Sequence, residues 1–309
     1  MRVFRFPPES LWNLNGIPLR QVVMRTWKSV MADRLFGHAA ELGFYFLFAL
    51  FPTLFSASSI LGMAARSAHQ IYDSLLDYLA LVIPTAALGT VLDAFNETTA
   101  AATSGKVTFG LIAAIWSASV GISAIQDTLN AVYKIEETRS YFTARIYAIG
   151  LTIVLTIIVS LGLAALLGGD FIAAMALHRV KNYLLAMVAA IGARIIGWAI
   201  STLILTLTFA VVYYLAPDWK KRRWRWLTPG AVVGILGWLL ASLGLRIYIH
   251  YFNNYAVIYG SLGAVIILLT WFYITGLMLL LGAEIDSEID RGAVDKGQGG
   301  LGADLTGAE

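Results

Sequence analysis

The stretch that decides the fold is residues 257–284, VIYGSLGAVIILLTWFYITGLMLLLGAE, near the end of the chain. It runs for roughly 27 residues without a charge, whereas about 20 apolar residues cross the core of a bilayer. Apolar side chains cover every face of a helix with this sequence, so lipid or other apolar helices must surround it. Four acidic residues follow at once: Glu284, Asp286, Glu288 and Asp290. The stretch therefore predicts a transmembrane helix that ends in a group of carboxylates.

The composition of the whole chain favours the same class. Of 309 residues, 59% are hydrophobic and 13% are charged, with a net charge of +3, whereas about 25% of the residues are charged in an average soluble domain. The length alone would allow two domains, but repeated apolar stretches favour one membrane bundle. The absence of cysteine excludes disulfides, thiolate metal ligands and cysteine nucleophiles. The sequence predicts an all-α, polytopic membrane protein.

Five further apolar stretches precede the final one, at residues 42–65, 107–125, 146–167, 195–215 and 227–249. The third is expected to end at Gly168-Gly169-Asp170. The fifth contains Gly230 and Gly234, a GxxxG pair typical of closely packed helices. We therefore predict a membrane domain of six transmembrane helices over residues 41–291. A cytoplasmic region at residues 1–40 precedes it, and a disordered cytoplasmic tail at residues 292–309 follows it.

Residues 19–38 are predicted to form an amphipathic helix. Its apolar residues recur at three- and four-residue steps: Leu19, Val22, Val23, Trp27, Val30, Met31 and Leu35. The other face is basic, with Arg20, Arg25, Lys28 and Arg34. The pattern fits a helix lying on anionic lipid headgroups, and it also fits a basic helix packed beneath the bundle. We favour the first interpretation, and both place the helix on the cytoplasmic side.

The longest connection, residues 66–106, separates the first two spans. It carries two apolar stripes at helical spacing, within residues 71–82 and 88–95, but Asp73, Asp77 and Asp93 interrupt them. Neither stripe is a convincing independent span. They are predicted to be extracytoplasmic amphipathic helices that lie at the outer surface or are partly re-entrant.

The distribution of basic residues predicts the orientation. Most of the 22 Lys and Arg residues lie before residue 40, between residues 126 and 145, between 217 and 226, or after residue 284. The positive-inside rule places such segments in the cytoplasm, so both termini are predicted to be cytoplasmic. The segment 217–226 interleaves basic residues with tryptophans, which is a pattern of membrane anchoring as well as of nucleic-acid binding. We favour anchoring and expect no nucleic-acid partner.

Two residues within or next to apolar stretches are functional candidates. Pro52 removes a backbone hydrogen bond within the first span. Broken helices often line transporter pathways, although a simple kink is the favoured interpretation. Arg194 either begins the fourth span at the outer interface or, if that helix begins near Leu184, lies within the membrane. An intramembrane arginine is a functional candidate, but extension of its side chain to the interface is favoured here.

Glu284 is the best candidate for a functional carboxylate. Glu284 and Glu288 are one helical turn apart and repel each other unless a cation intervenes. The cations that the predicted orientation places on the same, cytoplasmic side of the membrane are Arg139, Arg145 and the basic residues at 220–225. We predict that Glu284 pairs with one of them and fixes the last helix, a structural rather than a catalytic role.

Several stretches together resemble the YihY/BrkB family of bacterial inner-membrane proteins, over about residues 20 to 290. The first are Ala39-Ala40, Phe44-Tyr45 and Leu50-Phe51-Pro52, followed by Trp116-Ser117-Ala118, Asn130, Tyr133 and Glu137-Thr138-Arg139. The last are Pro229-Gly230, Trp238, Tyr255, Tyr259-Gly260-Ser261, Trp271, Tyr273 and Leu281-Gly282-Ala283-Glu284. The order and the spacing of these motifs carry the resemblance.

The resemblance implies a six-helix protein of the bacterial inner membrane whose biochemistry is unsettled. Some members of the family carry the name ribonuclease BN, others are virulence factors, and transport of a lipid or an envelope precursor has been suggested for relatives. The residues that match the motifs and could carry function are Pro52, Asn130, Arg139, Tyr255, Tyr259, Gly260, Trp271, Gly282 and Glu284.

Three functions follow as hypotheses. The leading one is a transporter or flippase-like protein for a lipid, an envelope precursor or another amphiphile. The second is a structural envelope protein that binds a protein partner. The third, a ribonuclease, is disfavoured because metal-assisted cleavage needs clustered ligands, whereas His38, His69, His178 and His250 are isolated and no zinc, P-loop or G-x-S-x-G motif is present. We predict no enzymatic activity, no metal and no cofactor, and the oligomeric state is left open.

Overall fold

A computed structural model describes residues 11–64, 104–180, 182–219, 227–251 and 262–306. Within these ranges all the regular secondary structure is helical. It consists of a short 3-10 helix, Leu11–Gly16, and of α1 (Leu19–Ala32), α2 (Leu35–Ala64), α3 (Ser104–Tyr133), α4 (Tyr141–Arg179), α5 (Tyr183–Leu215), α6 (Pro229–Tyr251) and α7 (Leu262–Thr306).

Five of the described segments are long and apolar enough to cross a membrane: Ile112–Tyr133, Tyr141–Arg179, Tyr183–Leu215, Pro229–Tyr251 and Leu262–Gly292. A shorter apolar segment, Leu35–Leu50, begins α2, which continues as a helix through Pro52 to Ala64. The all-α, polytopic membrane fold is therefore confirmed. The number of spans stays a prediction, and the predicted outer helices at residues 71–95 lie outside the described residues.

Helix α4 does not end at Gly168-Gly169-Asp170, so that expectation was wrong. It continues to Arg179 because Gly169 serves helix packing rather than helix termination. A Cβ atom on Gly169 would lie 2.9 Å from the carbonyl oxygen of Ala193 and 3.3 Å from Cα of Gly197, both on α5. The backbones of α4 and α5 thus meet at two glycines, and these helices form a long antiparallel hairpin.

Helix α7 lies at the centre of the described bundle, where it packs against α1, α2, α3, α6 and the 3-10 helix. Small residues allow α2 to approach it closely. A Cβ on Gly43 would lie 3.1 Å from the backbone nitrogen of Tyr273, and one on Gly276 would lie 3.1 Å from Cβ of Leu42. The largest apolar core surrounds this part of α7, with buried Leu42, Leu129, Val212, Leu280 and Ala283.

Helix α6 makes the closest approach to α7. A Cβ on Gly230 would collide with the carbonyl oxygen of Gly282, and one on Gly234 would lie 3.0 Å from the carbonyl oxygen of Met278. The GxxxG pair predicted from the sequence therefore faces α7. Helix α7 itself is helical as far as Thr306, whereas the sequence predicts a disordered tail from residue 292. Extension of an existing helix needs no new nucleation.

Helix α1 lies against the far end of α7. Val22, Thr26 and Val30 are buried, and the hydroxyl of Ser29 donates a hydrogen bond of 2.9 Å to Oε1 of Glu288. A second stripe, adjacent to the buried one on α1, is exposed and apolar, at steps of four: Leu19, Val23, Trp27 and Met31. We call the end of the bundle formed by α1, residues 130–140 and residues 284–292 the polar end.

Candidate functional site

The polar end contains the acidic turns of α7. Glu284, Asp286, Glu288 and Asp290 are all buried because neighbouring elements surround α7. Asp286 Oδ1 accepts a hydrogen bond of 2.8 Å from the backbone nitrogen of Gly230, and it lies at the positive N-terminus of α6. Glu288 accepts hydrogen bonds from Ser29, as described above, and from Nη1 of Arg291 at 2.8 Å. These two carboxylates therefore fasten α7 to α6 and α1.

Glu284 has a different environment. Its side chain is completely buried, and neither carboxylate oxygen has a hydrogen-bond partner in the described part of the chain. The predicted pairing with Arg139 or Arg145 is wrong, because both arginines bind other groups, and residues 220–226 lie outside the described residues. Burial of a carboxyl group without a donor costs free energy, so the described surroundings of Glu284 do not stabilise its carboxyl group.

The motif around Arg139 forms a polar cluster between the end of α3 and the segment after α5. Nη2 of Arg139 lies 2.6 Å from Oε2 of Glu137, and its Nε lies 3.7 Å from Oδ1 of Asp218. Buried Asn130 donates to Oε2 of Glu137 at 2.8 Å and accepts from the backbone nitrogen of Asp218 at 2.9 Å. Thr138 donates to Asp218 through its hydroxyl and its backbone nitrogen, at 2.6 Å and 2.8 Å.

The charges in this cluster stabilise each other. The hydrogen bonds and the charge of Arg139 lower the pKa of Glu137, with burial acting in the opposite direction. The same hydrogen bonds raise the pKa of Arg139, because deprotonation would break them. The structure thus brings together two predicted site residues, Asn130 and Arg139, in a hydrogen-bonded joint. Asp218, which completes the joint, was not predicted, because nothing in its local sequence indicates a partner so far away along the chain.

The other predicted site residues lie elsewhere. Trp271 donates through Nε1 to the hydroxyl of Ser242 at 3.3 Å and packs against Trp238, with ring centroids 6.3 Å apart. Gly282 forms the close contact with α6. Pro52 lies within the helical backbone of α2. Tyr255, Tyr259 and Gly260 fall outside the described residues.

Arg194 lies within α5, which begins at Tyr183, and not at the start of a helix as the favoured interpretation required. Its Nε lies 3.1 Å from Oδ1 of Asp170 on α4. The ion pair is adjacent to the contact between Gly169 and Gly197. A structural role in the hairpin accounts for both side chains.

An apolar cleft of about 430 Å³ opens between α2, α3, α4 and α7, within the range of ~300–1,000 Å³ typical of ligand pockets. Its lining includes Phe46, Gly121, Ile122, Thr152, Thr156 and Phe272. The hydroxyls of Thr152 and Thr156 donate to carbonyl oxygens of their own helix, Ala148 at 2.7 Å and Thr152 at 2.8 Å. The lining therefore offers few free polar groups, and it suits an apolar chain.

Sequence reasoning missed this cleft. Ala118 and Gly121 on α3 line it, and a Cβ atom on Gly121 would lie 3.6 Å from the ring of Phe46 on α2. Among the described residues, no group of three or more His, Asp or Glu side chains could hold a metal ion.

Comparison with known proteins identifies the family that this sequence matches. Residues 26–302 match the model of the family described as Virulence factor BrkB. The ribonuclease-like protein YfkH of Bacillus subtilis (strain 168) is 36% identical over 261 residues, which cover 82% of this chain and 89% of that protein. No solved structure matches the chain.

More distant relatives are named as membrane proteins. The UPF0761 membrane protein XOO3417 of Xanthomonas oryzae pv. oryzae (strain MAFF 311018) is 27% identical over 265 residues. The UPF0761 membrane protein Smlt0865 of Stenotrophomonas maltophilia (strain K279a) is 28% identical over 271 residues. Each alignment covers 85% of this chain but only 59% of the relative. With its apolar helices and the family match over most of its length, the chain belongs to the BrkB family of membrane proteins.

Proposed function

We propose that the protein is a transporter or flippase-like protein that moves a lipid, an envelope precursor or another amphiphile. The observation that carries the proposal is the apolar cleft among four membrane helices. Lateral entry from the bilayer would bring an apolar chain into contact with Phe46, Ile122 and Phe272 without exposing it to water. We place six spans in the bacterial inner membrane with the polar end in the cytoplasm, as the positive-inside rule favours.

The packing of the bundle supports movement at the cleft. On one side, α2 and α6 pack tightly on α7 through glycine contacts. On the other side, the hairpin α4–α5 makes its main contacts outside itself with α3 and α6. The end of α5 is fixed at the polar end, where the Tyr213 hydroxyl donates to the carbonyl oxygen of Leu279 at 2.7 Å. A small rotation of the hairpin about this attachment would widen or close the cleft.

A transport assay with a filled cleft tests the proposal. Thr156→Trp places a large ring in the cleft, whereas Ile157→Trp changes the neighbouring exposed position and is the matched control. Transbilayer movement of a fluorescent phospholipid is measured in proteoliposomes, with and without an imposed proton gradient. We expect wild type and Ile157→Trp to accelerate movement, and Thr156→Trp to return it to the rate of protein-free vesicles. Equal rates in wild-type and protein-free vesicles would reject transport and favour the structural envelope protein.

A further inference from the structure

Arg145 on α4 lies against α3 in an unusual electrostatic environment. Its Nη1 donates to the hydroxyl of Ser123 at 3.1 Å and to the carbonyl oxygen of Ser119 at 3.4 Å. Its Nη2 donates to the carbonyl oxygen of Trp116 at 3.3 Å, and Cζ lies 4.4 Å from the centre of the Trp116 ring. All of these neighbours are neutral.

Several other cations of the described helices and loops have carboxylate partners. Lys134 pairs with Asp33, Arg139 with Glu137, Arg194 with Asp170 and Arg291 with Glu288. No carboxylate among the described residues lies within ion-pair distance of Arg145, and its Nε is buried without a hydrogen-bond partner. The partly buried guanidinium therefore has only neutral acceptors among the described residues, and it could also bind an anion through charge-assisted hydrogen bonds.

The position of Arg145 relates it to the cleft. Thr152 and Thr156 follow it on α4 after seven and eleven residues, so the three side chains lie on one face of the helix. On α3, the acceptors Ser119 and Ser123 flank Gly121 and Ile122, which line the cleft. Arg145 does not itself line the cleft; it lies two helical turns before Thr152 on α4, and its guanidinium contacts the segment 116–123 of α3, which includes lining residues.

We propose that Arg145 binds the anionic headgroup, a phosphate or a carboxylate, of an amphiphile whose apolar chain occupies the cleft. The inference rests on the proposed function and names its substrate class. A guanidinium binds such groups through paired, charge-assisted hydrogen bonds. The present contacts with α3 are long, and their carbonyl acceptors are neutral, so an oxyanion is the better partner. A cationic headgroup is repelled at the same place.

The charge of the ligand tests the proposal on the unmodified protein. Binding of dodecyl phosphate, dodecyltrimethylammonium and inorganic phosphate to the full chain is measured by calorimetry in maltoside micelles. We expect dodecyl phosphate to bind at least tenfold more tightly than dodecyltrimethylammonium. We expect inorganic phosphate not to bind in the same concentration range, because it has no chain for the cleft. Equal affinity for the two dodecyl compounds would overturn the proposal, and tight binding of inorganic phosphate alone would replace it with a site for free anions.

Variants test separately how the headgroup and the apolar chain of the ligand contribute to binding. Arg145→Gln is expected to weaken binding of dodecyl phosphate at least tenfold and Arg145→Lys to weaken it less, whereas Arg246→Gln, at an exposed site on α6, leaves it unchanged. Thr156→Trp is expected to weaken binding as well. If only Thr156→Trp weakens binding, the role of Arg145 is rejected while the cleft stands; if neither does, the proposed function fails too. Should Arg145→Gln not fold, Arg145→Lys and the ligand comparison still decide.

Discussion

Glu284 and Glu288 lie one turn apart on α7 and are both buried, yet they have different effects on the fold. Glu288 receives hydrogen bonds from Ser29 on α1 and from Arg291. Glu284 receives none from the described residues, although charged side chains of Asp33, Lys134, Glu288 and Arg291 act on it from nearby. The same residue type therefore joins two helices at one position and carries a free-energy cost at the other.

The first prediction compares the amide variants of these two residues. Glu288→Gln removes the charge that strengthens two hydrogen bonds, so it should lower the free energy of unfolding by about 1–3 kcal/mol. Glu284→Gln should raise the unfolding midpoint, because a neutral amide costs less to bury than a carboxylate. Thermal unfolding in detergent, followed by circular dichroism, measures both. A loss of stability in Glu284→Gln as large as that in Glu288→Gln would show that Glu284 has a partner.

The second prediction concerns acid and Glu137. Because Arg139 lowers the pKa of Glu137 below its ordinary value of 4.5 in the folded protein, the folded state binds this proton less readily than the unfolded chain. The resulting stability is complete above pH 4.5 and is lost as the pH falls through the lowered pKa. Unfolding midpoints measured from neutral pH to about pH 3 should fall less steeply for Glu137→Gln than for wild type. Parallel curves would contradict the role of this ion pair.

At the scale of elements, the close contact between α6 and α7 requires glycine at Gly230 and at Gly282, because a side chain at either position would meet the other helix. The third prediction compares two glycines of α6. Gly230→Ala would press a methyl group onto the backbone of Gly282 and the carboxylate of Asp286, with a cost of about 1–3 kcal/mol. Gly244→Ala has nothing within 4 Å of its new methyl group and should gain about 1 kcal/mol from helix propensity. The free energy of unfolding, measured for both variants, tests this prediction. A Gly230→Ala variant as stable as the wild type would mean that the two helices lie further apart.

The fourth prediction concerns the exposed apolar stripe of α1, which should lie on lipid if this helix is interfacial. The chain has no cysteine, so a nitroxide can be attached at one chosen position. Labels at residues 23 and 27 in proteoliposomes should collide more often with oxygen than with a water-soluble nickel complex, and a label at residue 28 should show the reverse. Equal collision rates at residues 27 and 28 would favour a helix that lies away from the bilayer.

Some of these elements can be predicted from the sequence, and others cannot. The apolar lengths predict the membrane helices and the central final helix, since a residue's polarity is a local property. Gly169 was interpreted as a helix end because a terminating glycine and a packing glycine look alike without the partner Gly197. The surroundings of Glu284 and the joint at Asp218 depend on contacts between segments far apart in the chain. The cleft is a gap between four helices, and no local pattern of residues records such a gap.

The described part of the molecule consists of a tightly packed part and a more loosely attached part. Helices α2, α6 and α7 meet at glycines, and carboxylates of α7 hold α1 and α6 at the polar end. The hairpin α4–α5 packs mainly on itself, and it is fastened at the polar end through Tyr213 and through the joint of Asn130, Arg139 and Asp218. The cleft lies where these two parts face each other, and Arg145 precedes its lining residues on α4. This arrangement is the physical basis for the proposed movement of an amphiphile.

Reversible blocking of the cleft in a single protein sample tests this account most directly. Thr156→Cys introduces a unique thiol in the cleft, and benzyl methanethiosulfonate adds a ring to it that dithiothreitol removes. Ile157→Cys, on the exposed neighbouring face, is the control. In proteoliposomes we predict that lipid movement falls to the protein-free rate when the thiol at position 156 is modified, returns on reduction, and is unaffected by modification at position 157. Movement at the unmodified rate in vesicles whose thiol at position 156 is fully labelled, as measured by mass spectrometry, would contradict the account.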